Sequence, residues 1–186
     1  MASKTSGEKF PAFSRYQVFL IAVPAFIQFT VILDFMVMAP LGAILMPKLG
    51  ITPAQFSHVV SAYAFAAGGA GLLAAGFADK YDRKKLMLFF YVGFLVGSVC
   101  CGLAQSYELL LAARIITGVF GGVISAVSMA IITDVFLPEK RGRVMGYVQM
   151  AFAASQVLGI PIGLILANQW NWHAPFLMIA GIGILA

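Results

Sequence analysis

The sequence predicts an all-α, multi-spanning membrane protein, and three observations carry that prediction. The 186 residues are 61% hydrophobic and 10% charged, with a mean hydropathy of +0.95. A soluble domain carries about a quarter charged residues. The charges are also gathered rather than spread. Residues 49–78 run 30 positions without a formal charge and residues 86–107 another 22, while residues 79–85 hold six charges in seven positions. Each gap reaches the roughly 20 residues that cross a bilayer as a helix, and no irregular segment crosses exposed to lipid. Two such spans joined by so short a charged link form an antiparallel helical hairpin.

Six spans follow in order. Residues 1–15 are polar, and the apolar run after them is far longer than a signal-peptide core. The first span, about 16–46, is therefore expected to remain uncleaved. The others are expected at about 54–78, 86–104, 107–136, 144–167 and 174–186. The breaks between them carry turn chemistry: residues 47–53, the charged link, Gln105-Ser106, residues 138–142 and residues 168–173. The sixth span has 13 residues before Ala186, short of the roughly 20 required. The chain is expected to stop within that helix and to belong to a longer protein.

The net charge of +5 does not mark a nucleic-acid partner. Ten of the twelve Lys and Arg fall in three clusters: Lys4, Lys9 and Arg15; Lys80, Arg83, Lys84 and Lys85; Lys140, Arg141 and Arg143. Clusters on alternate loops follow the positive-inside rule, which puts the N-terminus in the cytoplasm of a cell (inner) membrane protein. Trp170 and Trp172 are then expected in the outer aromatic belt. Cys100 and Cys101 are adjacent, lack metal-ligand partners nearby and read as small core residues. No metal or cofactor is expected.

Charges inside the spans need their own explanation. Asp34 lies within the first span, where a carboxylate costs about 2.5 kcal/mol or more unless it faces a cavity or a partner. Arg114 carries the same penalty in the fourth. Counting about 1.5 Å per residue from the outer ends puts Asp34 roughly 18 Å and Arg114 roughly 12 Å deep, near enough to pair. The two readings are a static ion pair and a titrating site in a water-filled cavity, and solvation of both charges favours the second. Asp134 ends the fourth span on the face of the charged link. A carboxylate there opposes the helix macrodipole, so Arg83 or Lys84 is expected to pair with it.

Polar groups among aromatics and Met suggest a pathway for a mostly apolar organic molecule. The set comprises Gln28, Met38, Tyr63, Gln149, Phe152 and Gln156. Glycines at i, i+4 spacing (Gly93 and Gly97, Gly118 and Gly122, Gly159 and Gly163) read as close helix contacts, with Pro161 inside the last pair.

These residues meet a family pattern. Residues 75–85 resemble the loop between helices 2 and 3 of the major facilitator superfamily, G-x-L-a-D-r-x-G-r-k. Asp79 takes the acidic position and Arg83-Lys84 the closing basic pair; Ala75 and Asp82 stand where glycines are usual. Residues 110–118, with Arg114 and Gly118, resemble the helix-4 pattern l-x-x-x-R-x-x-q-G. Residues 33–42 are similar to the helix-1 acidic motif of drug and sugar exporters. Residues 134–146 look like the link after helix 4, and 171–176 like the start of helix 6, with His173 in an arginine's place. Gly159-Ile160-Pro161-Ile162-Gly163 partly meets the helix-5 antiporter motif.

The resemblance implies the six-helix N-terminal bundle of the major facilitator fold, truncated within helix 6. It implies a secondary transporter working by alternating access, with proton-coupled efflux of small amphipathic molecules as the leading reading. Asp34 would accept the proton with Arg114 tuning it, and Asp79, Arg83, Lys84 and Asp134 would form a cytoplasmic latch. The implied partners are a small-molecule substrate, protons, the lipid bilayer and a C-terminal six-helix bundle. An importer on the same fold and a non-transporting assembly or sensor subunit remain open. A membrane enzyme acting through Asp79 and Asp82 is disfavoured, because metal-dependent sites need further acids and the link is mainly basic.

Overall fold

The computed structural model describes residues 14–185, apart from the side chain of Asp79. Most of the expected N-terminal segment thus lies outside the described residues. Helix α1, Arg15–Leu49, runs unbroken through Pro24, Pro40 and Pro47. Its 35 residues span about 52 Å at 1.5 Å each, well beyond a hydrocarbon core of roughly 30 Å. A capping box starts it: Ser14 Oγ accepts from the Gln17 amide at 3.2 Å, and Gln17 Oε1 accepts from the Ser14 amide at 3.1 Å. Gly50 ends it at φ 63°, a left-handed stop that glycine takes without strain.

Helix α2, Pro53–Phe77, opens with a second capping box, Thr52 and Gln55, and with Pro53 in its first turn. A short 3-10 turn, Ala78–Lys80, leads to α3, Arg83–Leu103. Asp82 caps α3: its Oδ1 accepts from the Lys85 amide at 2.9 Å, and its φ of −60° asks for no glycine. An acid in the family's glycine position is therefore an N-cap here, not a strained turn. Helix α4, Tyr107–Val135, is capped by Ser106.

The fifth span is compound. Helix α5, Pro138–Ala154, passes into a π segment, Ser155–Gly159, and continues as α6, Ile160–Gln169. It begins at Pro138 rather than at residue 144, because proline in the first turn and Glu139 at the positive dipole end favour helix there. The π segment has a cause two residues on. Pro161 offers no amide and its ring crowds the carbonyl four residues back. The widened turn, with the Ile160 amide reaching Ser155 O, makes room. Helix α7, Ala174–Gly183, is the shorter sixth element. Among the described residues five elements are long and apolar enough to cross a membrane: α1 to α4 and the compound fifth span.

Glycine sets how closely these helices approach. Helix α4 is central, with α2 along one side and α3 along the other. A methyl added at Gly118 would lie 2.6 Å from Tyr63 O, and one at Gly122 would strike the Ala67 carbonyl. On α3, a methyl at Gly97 would lie 2.6 Å from Thr117 Oγ1. Gly159 and Gly163 receive Leu33 and Val37 of α1 in the same way, so small residues let these backbones meet. Trp170 is 80% exposed, as a belt residue would be, but Trp172 is 3% exposed. Its ring packs edge-on to Phe176, 6.5 Å between centroids. The turn before α7 folds it inward, which corrects the expectation of a paired aromatic belt.

Candidate functional site: a buried ion pair beside an open groove

Helix α1 carries two stripes on different sides. Thr30, Asp34, Met38, Leu41 and Leu45 turn into the bundle and are fully buried. Gln28, Ile32, Phe35 and Met36 face a groove shared with α2, α4 and the fifth span. Asp34 and its neighbour Phe35 therefore serve different surfaces.

On the inner stripe, Arg114 Nη1 donates to Asp34 Oδ2 at 2.6 Å, and neither side chain has any exposed surface. Arg114 Nη2 also donates to the Asp34 carbonyl at 3.3 Å, and Ser98 Oγ donates to Asp34 Oδ1 at 2.9 Å. The guanidinium lies over the Tyr63 ring, 4.7 Å from its centroid, and 5.8 Å from that of Phe176. Aromatic faces attract a cation more strongly once water is excluded. The side chains enclosing the pair come from α1, α2, α3, α4 and α7. The two charges expected at similar depth are thus in direct contact, under aromatic cover.

The groove, about 490 Å³, opens on the other side of Tyr63. Phe35, Met36 and Phe152 supply apolar walls; Gly121, Gly122 and Gly71 keep one wall shallow; Gln28 and Ser125 supply polar atoms. Gln28 Nε2 donates to Ser125 Oγ at 3.3 Å, and Ser125 is anchored to Gly121 O at 3.0 Å. Of the six expected cavity residues, Gln28, Tyr63 and Phe152 line this groove. Met38 does not, because it sits one turn from Asp34 on the inward stripe and is fully buried. Gln149 and Gln156 are exposed on the fifth span outside the groove lining, each one residue past the buried Val148 and Ser155.

At the basic end, Arg83 Nε donates to Asp134 Oδ2 at 3.1 Å, with 25% and 54% of the two side chains exposed. Lys84 is exposed, and the Asp79 side chain lies outside the described residues. Arg141 reaches back to donate from Nη2 to Thr133 O at 2.6 Å and from Nε to Phe136 O at 3.0 Å, satisfying carbonyls at the end of α4. The sequence places Arg141 among the topology charges and in the link after helix 4, and gives no role to Ser98. A lone serine in an apolar span and an arginine just past a helix end were the available signals. No group of three or more His, Cys, Asp or Glu that would hold a metal occurs among the described residues.

Apolar helices long enough to cross a bilayer, with a buried ion pair at their centre and an apolar groove on their flank, define a class, the polytopic membrane protein. Residues 24–186 match the Major Facilitator Superfamily; the chain belongs to that family and is a multi-pass membrane protein. It is 36% identical over 132 residues to multidrug resistance protein 3 of Bacillus subtilis, covering 71% of this chain and 26% of that protein. It is 29% identical over 155 residues to the methylenomycin A resistance protein of Streptomyces coelicolor, covering 82% and 32%. To the vacuolar membrane amino acid uptake transporter fnx2 of Schizosaccharomyces pombe it is 33% identical over 134 residues, covering 70% and 23%. The fold superposes on a bacterial homologue of the human lysosomal transporter Spinster, in an inward-facing, occupied conformation. The TM-score is 0.80 at 19% identity, over 94% of this chain and 43% of that one. The chain spans less than half the length of each of these proteins.

Proposed function

We propose that this bundle is the N-terminal half of a proton-coupled secondary transporter that exports small amphipathic molecules by alternating access. The observation that carries the reading is the Asp34–Arg114 pair, sealed on one side of Tyr63 while an apolar groove opens on the other. A buried charge in a membrane protein is costly and has a use. Asp34 takes the proton, and Arg114 holds the carboxylate in its absence. The groove faces a second six-helix bundle, and the substrate sits between the two. Asp79, Arg83, Lys84 and Asp134 act as the latch at the cytoplasmic face, with the N-terminus on the same side of a cell inner membrane. Two relatives named for drug or antibiotic resistance support export. The relative named for amino acid uptake supports import as the second reading.

The test is pH-gradient-driven flux in proteoliposomes, with chloramphenicol as the probe in both directions. Asp34→Asn is expected to abolish gradient-driven movement while the protein stays folded in the membrane. Undiminished flux in that variant sinks the proton-coupling role.

A further inference from the structure

Tyr63 has a hydroxyl with no hydrogen-bond partner among the described residues, although the residue is only 4% exposed. An unmade hydrogen bond at a buried hydroxyl costs roughly 1–3 kcal/mol, so a native orphan asks for an explanation. The ring cannot swing away to find one. It stacks on Phe35, 5.3 Å between centroids at 28°, and lies 4.7 Å from the Arg114 guanidinium. Gly121 faces the oxygen directly: a methyl built there would sit 2.7 Å from it. The hydroxyl is thus held beneath the floor of the groove against Gly121, with only a glycine's bare backbone between it and the opening. The other polar side chains of the groove, Gln28 and Ser125, are bonded to each other, and among the described residues no charged side chain lines it.

We infer that Tyr63 is the specificity residue of this groove: its hydroxyl donates to an acceptor oxygen on an uncharged aromatic ligand, whose rings lie against Phe35, Met36 and Phe152. The ligand class follows from the lining. Aromatic and thioether walls take flat apolar rings, and the absence of a lining carboxylate gives no partner to a compact cation. A single pre-fixed donor selects ligands carrying a carbonyl or ether at the right depth. A site built to hydrogen-bond discriminates strongly against the analogue lacking that group. The inference rests on the reading of the groove as part of a substrate cavity.

Benzophenone and diphenylmethane make a matched test, because they share two rings and a one-carbon bridge and differ by the carbonyl. Benzophenone photolabels the protein in nanodiscs, mapped by mass spectrometry, and diphenylmethane competes. The wild-type protein is expected to label on the α1 groove stripe around Met36 and to favour the ketone by roughly tenfold. Tyr63→Phe keeps the ring and is expected to bring the two affinities level; Gly121→Ala, which crowds the hydroxyl, should do the same. Labelling away from the groove, no labelling, or an undiminished ketone preference in Tyr63→Phe overturns the inference. If that preference persists while Asp34→Asn still abolishes gradient-driven flux, the transport reading stands and the role of Tyr63 falls.

Discussion

Removing one member of the buried pair is the most informative perturbation. Asp34→Ala leaves the Arg114 guanidinium under Tyr63 and Phe176 with no counter-charge and takes the acceptor from Ser98. Breaking a fully buried pair costs about 3–5 kcal/mol, whereas replacing both partners with apolar residues of similar volume is often neutral or stabilising. For a chain of this size 1 kcal/mol corresponds to roughly 2–4 °C in Tm, so the single variant should melt about 6–20 °C below the wild type. Arg114→Met should fall by a similar amount, since it strands the carboxylate. The double variant, Asp34→Leu with Arg114→Met, should recover most of the loss. The assay is thermal unfolding in one detergent at one pH, read by intrinsic tryptophan fluorescence. If the double variant loses the sum of the single losses, the two side chains are not coupled and the static geometry misleads.

Three further outcomes are expected. Gly122→Ala, which drives a methyl into the Ala67 carbonyl, should lower Tm by several degrees, whereas Gly146→Ala meets open space and should leave it level or slightly raised. Asp82→Ala should cost about 1 kcal/mol through loss of the α3 cap, with Asp82→Gly costing only a few tenths, measured by the same melts. Arg83→Ala should cost little through its pair with Asp134, because a partly exposed pair contributes little. If the latch role holds, the same variant should redistribute cysteine accessibility between the two membrane faces, and an unchanged pattern would count against it.

Much of this architecture was legible because charge is scarce. The gaps between clusters mark the spans, depth counting pairs Asp34 with Arg114, and dipole reasoning offers Asp134 a partner in Arg83 or Lys84, of which Arg83 makes the contact. Rotation about each helix axis was not legible. In lipid the outside of a helix is as apolar as its inside, so hydrophobic periodicity carries little contrast. That is why Met38 and Phe152 both read as cavity residues, although only Phe152 lines the groove. Trp172 misled for a related reason: an aromatic near a span end satisfies the belt rule whether its turn points it out or in. The π segment before Pro161 adds a residue to one turn, and no pattern in the sequence announces that shift. Ser98 escaped notice because a single serine in an apolar run is an ordinary packing residue unless its partner is known.

The ion pair also has a history during synthesis. Asp34 and Arg114 are separated by 80 residues, and at about 5–20 residues per second the carboxylate precedes its cation by roughly 4–16 s. Over that interval the first span enters the bilayer with an acid that Arg114 does not yet pair. Chains arrested before residue 114 should therefore leave the first span easier to extract from the membrane than chains arrested after the fourth span has emerged. The order in which the spans emerge thus makes the fourth the one that commits the first to its place.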